Sequence, residues 1–205
     1  MASKKSKKKK TVSAASSIRI EDISYTPENR IEEEIGKGGA FSILVLFDGT
    51  KHEIVTKALV EHFIKDGKKG VYVSINKSPV VLEEHWKQTV WHYDSSSIFF
   101  VDCVSKNGGV KNSVKVAPQN LSDLDIAISE SVHKKNAQFL IIDGLATLAI
   151  YNEEKSLKKF VKSLAEKISR HKIQGIVMAT RSGTTQDLIS DVSPFFDEVV
   201  DSEKL

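Results

Sequence analysis

Five segments of this chain have strand length and are apolar at nearly every position. They are Phe41–Phe47 (FSILVLF), Gly70–Ile75 (GVYVSI), Ser97–Val104 (SIFFVDCV), Gln138–Asp143 (QFLIID) and Gln174–Ala179 (QGIVMA). A strand alternates its side chains between two faces, so a run without polar alternation has to be covered on both. The intervening segments supply the cover. His52–Lys65 carries Ile54, Ala58, Leu59, Phe63 and Ile64 at helical spacing, and Glu153–His171 sets Leu157, Phe160, Val161, Leu164, Ala165 and Ile168 on one face. Strands alternating with such helices read as βαβ units, and they predict an α/β chain: a three-layer α/β/α sandwich around a mainly parallel central sheet.

The remaining pattern agrees with this plan. Val80–Trp91 is predicted as a helix opened by Ser78-Pro79, and Leu121–Lys134 as one introduced by Asn120 or Ser122. Thr184–Val192 reads as a short helix, Val114–Val116 as a short strand and Phe196–Val200 as a last strand. Gly67 and Gly70 close the helix before them, and Gly36–Gly39 is a flexible joint. Residues 1–17 read as a disordered lysine-rich tail, and residues 18–205 as a single domain.

Charge separates these two parts. The chain carries 30 basic and 27 acidic side chains, a net +3. Six of the basic ones are Lys4, Lys5, Lys7, Lys8, Lys9 and Lys10, and without them 24 basic residues face 27 acidic ones. The body is mildly acidic, and the tail supplies the excess. Such a tail is either a solvated arm or a contact for nucleic acid. No apolar stretch follows its lysines, so it is not a secretory signal. No apolar run approaches the roughly 20 residues that cross a bilayer, and the single cysteine, Cys103, allows no internal disulfide. A cytoplasmic location is the expectation.

In a parallel sheet, ligands bind outside the carboxyl ends of the strands. The residues that follow the strands are Asp48-Gly49, Asn76-Lys77, Asp102, Asp143 and Thr180-Arg181. The first of these positions is where a phosphate loop belongs. Such a loop reads G-x-x-x-x-G-K-[ST], its amides wrapping the phosphates and its lysine reaching the terminal ones. Here the segment is Asp48-Gly49-Thr50-Lys51-His52-Glu53-Ile54-Val55-Thr56-Lys57, with one glycine and no Gly-Lys-Thr/Ser. It reads either as an ordinary strand-to-helix turn or as a variant cradle using Gly49, Thr50, Lys51, Thr56 and Lys57. Asp143, at the tip of Phe139–Ile142, has the shape of a Walker B carboxylate supporting magnesium, and equally that of a cap on the next turn. Cys103 reads as a small buried hydrophobe, and Trp86 and Trp91 as packing or interface residues.

Together these segments resemble the RecA/KaiC-like ATPase superfamily, in particular its archaeal KaiC-like and Rad55-like proteins. Gly38-Gly39 before Ile43–Leu46 resembles the lead into the first core strand, and Ala58–Gly67 the helix behind the phosphate loop. Val71–Ser74 resembles the second strand, and Phe139–Leu148 the Walker B strand and its exit. The resemblance runs from about Gly38 to Val200 and implies a RecA-like P-loop NTPase fold. It also implies a degenerate site. Family members carry Gly-Lys-Thr/Ser where this chain has Val55-Thr56-Lys57, and glutamates where it has Asn76 and Lys77. An asparagine cannot take up the proton of an attacking water.

The expected function is that of a catalytically deficient RecA/KaiC-like domain, a pseudo-ATPase acting as regulator or adaptor through a protein partner or a homo-oligomer. On that reading no cofactor is expected. Two alternatives stay open: a nucleotide binder or slow ATPase holding ATP and Mg, with Asp143 on the metal, and a recombinase-like accessory factor held to nucleic acid by Lys4–Lys10.

Overall fold

The computed structural model describes residues 39–107, 109–181 and 185–201. The lysine-rich tail, residues 18–38 and Thr184 lie outside them. Seven strands form one sheet: β1 (Phe41–Phe47), β2 (Gly70–Ser74), β3 (Ile98–Asp102), β4 (Ser113–Lys115), β5 (Phe139–Ile142), β6 (Gln174–Thr180) and β7 (Glu198–Asp201). Six helices cover it: α1 (His52–Lys65), α2 (Pro79–Thr89), α3 (Leu121–Lys134), α4 (Leu145–Tyr151), α5 (Glu154–His171) and α6 (Gln186–Val192). The strand order is β4-β3-β2-β5-β6-β1-β7. The expected sheet was mainly parallel; every pairing described is parallel.

The period-2 alternation divides the core in two. Ile43, Val45 and Phe47 of β1 join Tyr72, Phe100, Phe139 and Met178 against Val55, Leu59 and Phe63 of α1 and Leu82 and Trp86 of α2. Leu44 and Leu46 point the other way, with Val71, Val73, Leu140 and Val177, against α3, α4, α5 and α6. Helices α1 and α2 thus form one outer layer and α3–α6 the other. Gly175 permits the approach of α5, since a Cβ there would meet Ile168 at 2.2 Å. The rings of Phe63 and Phe139 stack 4.3 Å apart, and burying each contributes about 2–3 kcal/mol.

Some boundaries differ from those read in the sequence. The predicted helix over 80–91 ends at Thr89, and Trp91 is 74% exposed while Trp86 is fully buried. Strand β3 stops at Asp102, whose Oδ1 accepts the amides of Val104 and Ser105 at 2.9 Å and turns the chain. Residues Ser193–Phe195 form a single 3-10 turn, so the last strand begins at Glu198 and not at Phe196. Helix α4 was not expected at all. It has only seven residues, and its outer positions Ile150 and Tyr151 are as apolar as its inner ones, so no helical period marks it.

Candidate functional site

The fold opens crevices at the carboxyl ends of the strands. Neighbouring strands β2 and β5 lead into α2 on one face and α4 on the other. The same divergence separates β1, which leads into α1, from β6, which leads into α6. Such switch points are where open α/β sheets bind ligands. A cleft of about 450 Å³ lies there, lined by Gly49, Thr50, His52, Glu53, Asn76, Lys77 and Thr180. A smaller hollow of about 90 Å³ adjoins it between α1 and α2, with Thr56, Val81, Leu82, His85 and Trp86 in its walls. The Lys77–Glu53 ion pair stands at the boundary of the two.

The turn from β1 into α1 is short and internally saturated. Residues Gly49–Lys51 form one 3-10 turn. The Thr50 amide donates to Asp48 Oδ1 at 2.8 Å, and its hydroxyl donates to the same oxygen at 2.6 Å. The Lys51 amide donates to the Asp48 carbonyl at 2.9 Å, and the His52 amide to the Gly49 carbonyl. Three consecutive amides are therefore spent inside the turn. A phosphate cradle needs such amides aimed outward. The Thr50 hydroxyl and amide hold the Asp48 carboxyl below its usual range, so it stays charged beside the cleft.

Asp143 is fully buried beneath the cleft. Its Oδ1 accepts the amides of Ile75 (2.7 Å) and Asn76 (3.2 Å), and its Oδ2 accepts the Tyr72 hydroxyl (3.1 Å). Burial pushes its carboxyl up to about 7, against the lowering effect of those three donors. Asn76 closes over it: Nδ2 donates to the Asp143 carbonyl at 2.7 Å, and Oδ1 accepts the Thr147 hydroxyl at 2.5 Å. His52 completes the cluster. Its Nε2 lies 3.4 Å from Asn76 Nδ2, and burial keeps the ring's pKa below the ordinary value despite a hydrogen bond to the Asp143 carbonyl.

The six residues singled out in the sequence are therefore dispersed. Gly49 and Thr50 line the cleft. Lys51 ends the turn, half-buried. Thr56 is buried, its hydroxyl donating to the His52 carbonyl at 2.5 Å. Lys57 pairs with Glu61 at 2.7 Å along α1. Asp143 does not line the cleft, and its oxygens already accept from Ile75, Asn76 and Tyr72. This donor set does not fit a magnesium ion reached from the cleft, and no cluster of three or more metal-ligating side chains occurs among the described residues. His52 and Tyr72 were not singled out. Tyr72 reads in the sequence as one more strand residue, and only the β2–β5 pairing, which sets it beside Ile141, brings it to Asp143.

Residues 48–200 match the family model of the KaiC ATPase. The chain belongs to the KaiC ATPase family. No curated protein matches it. Among solved structures, it is similar to a KaiC-like protein of the hyperthermophilic archaeon Pyrococcus horikoshii OT3. The TM-score is 0.63 at 18% identity, over 78% of this chain and 72% of that one. At that identity the likeness speaks for the fold. A KaiC-type domain accounts for the all-parallel sheet and the strand-tip cleft. No described helix is long and apolar enough to cross a membrane.

Proposed function

We propose that this KaiC-type domain has lost nucleotide turnover and serves as an adaptor or regulator through protein contacts, with residues 18–205 acting as one cytoplasmic unit. The observation that carries this reading is the closed turn: Thr50, Lys51 and His52 direct their amides into residues 48 and 49, leaving little to grip a triphosphate. The place of the water-activating carboxylate is taken by Asn76, which is engaged with Asp143 and Thr147. Exposed apolar side chains support a partner-directed role. Ile54 and Val81, on α1 and α2, are 57% and 50% exposed, and Ile150 on α4 is 78% exposed.

Calorimetric titration of the full chain with ATP and magnesium tests the reading. It expects no phosphate release above a buffer blank and no saturable heat at millimolar nucleotide that depends on Lys51 or Lys57. Turnover that Lys57→Ala or Lys51→Ala abolishes would overturn it in favour of a slow ATPase. Sedimentation at rising protein concentration then tells whether the partner is a second copy of this chain.

A further inference from the structure

A second concavity lies at the opposite end of the strands, where β2 and β3 begin. It has a volume of about 220 Å³, and its polar lining comes from four separate stretches of chain. Lys69 immediately precedes β2, Ser96 and Ser97 precede β3, Asn112 precedes β4, and Lys134 and Lys135 end α3. Three lysines line the space, and no carboxylate does. In a body with more acidic than basic residues, that grouping is notable.

The nearby acids leave two of the lysines without a close ion pair. Glu130 pairs with Lys134 at 2.7 Å. Asp94 accepts the amide and hydroxyl of Ser96 at 2.9 and 2.5 Å, and Lys69 adds to the lowering of its pKa at longer range. Neither Lys69 nor Lys135 forms an ion pair within 4 Å among the described residues. Lys135 Nζ is held 4.4 Å from the centre of the Phe99 ring, another residue of the lining, which reduces its freedom before any ligand arrives. The Ser97 hydroxyl has no hydrogen-bond partner among the described residues, while its amide and carbonyl serve Asp94 and Gly70.

Lysines often end helices because they complement the dipole. That accounts for neither Lys69, which belongs to another element, nor a need for capping. The carbonyls of Ser131, Val132 and His133 already accept the amides of Lys135, Ala137 and Asn136 at 3.0, 3.0 and 3.2 Å.

We propose that this pocket binds the phosphate group of a small phosphomonoester, with Lys69 and Lys135 as its charge partners and the Ser97 hydroxyl as a neutral donor. A phosphate dianion matches two ammonium groups and a hydroxyl in charge and in acceptor number. The pocket is at the amino ends of the strands, opposite the strand-tip cleft, so the assignment does not depend on what that cleft binds.

The test is calorimetric titration of the full chain with inorganic phosphate and, in a second arm, glycerol 3-phosphate, with potassium chloride matching the ionic strength. Saturable binding is expected. Lys69→Gln together with Lys135→Gln should weaken it at least tenfold, while Lys51→Gln with Lys57→Gln in the β1–α1 region leaves it unchanged. Lys69 and Lys135 are both exposed, so the double variant should keep the parent melting temperature without phosphate. Tighter binding of the ester identifies an organic phosphate as the ligand; equal affinity identifies the ion itself. The proposal is overturned if no saturable binding occurs, if the Lys69/Lys135 variant binds like the parent, or if the Lys51/Lys57 variant is the one that loses it.

Discussion

Asp143 is held between two opposing influences. Its burial favours the neutral acid, and the amides of Ile75 and Asn76 with the Tyr72 hydroxyl favour the anion; burial prevails and sets the group near 7. In the unfolded chain the same carboxyl titrates at about 3.9. Between those values the unfolded chain sheds a proton that the fold retains. This group's contribution is therefore fully present below pH about 4 and lost as pH rises through about 7. His52 acts in the opposite direction, because its depressed pKa costs stability as pH falls below about 6.5. Asp143→Asn separates the two. Denaturant midpoints of parent and variant should converge or cross as pH rises from 4.5 to 8, and a constant difference would mean the carboxylate is charged in the fold. Asn76→Ala removes the donor to the Asp143 carbonyl and the acceptor of Thr147, and should cost about 1–2 kcal/mol in urea unfolding.

At the level of elements, local signals in the sequence proved adequate wherever a helix has its own cap or period. Asn120 shows this: its Oδ1 accepts the Asp123 amide at 3.1 Å and opens α3. Asn120→Ala should lower stability by about 1 kcal/mol, read from thermal unfolding. Helix α5 was equally legible, because its apolar stripe repeats for about three turns, from Leu157 to Ile168, and it ends without a glycine, with Lys172 taking φ 54°. Helix α4 was not legible, since its burial is decided by β6 and α5 and not by its own pattern. The join between β5 and α4 depends on such a contact. A Cβ on Gly144 would meet Asn76 Nδ2 at 2.9 Å, so Gly144→Ala must displace the side chain that closes over Asp143. It should cost about 1–3 kcal/mol, and the loss should largely vanish in an Asn76→Ala background. A full loss in that background would place the strain elsewhere. The candidate site was half legible for the same reason. Position after a strand was readable for Gly49, Thr50 and Asp143. Whether an oxygen or amide faces the cleft or the interior is settled by partners some twenty to ninety residues away, as with Asp143 and Tyr72.

Over the whole molecule, the sheet acts as a partition. The buried side chains of α1 and α2 and those of α3–α6 form separate clusters, joined only through strand residues that alternate between them. Leu59 on α1 and Leu164 on α5 are both essentially unexposed, one in each cluster. Each leucine-to-alanine change should cost about 2–5 kcal/mol through lost burial and the cavity left behind. The two leucines lie on opposite faces of the sheet and share no cluster, and distant sites without shared partners add to within about 0.5 kcal/mol. Leu59→Ala combined with Leu164→Ala should therefore lose the sum of the single losses in denaturant unfolding, as long as the transition stays two-state. A second pair within one layer, Leu164→Ala with Leu157→Ala on α5, shares neighbours, so its losses should depart from the sum. Additivity across the sheet and coupling within a layer would identify the strands as a rigid divider. Coupling of equal size in both pairs would mean that the sheet transmits repacking from one face to the other, and with it any contact a partner makes on one outer layer.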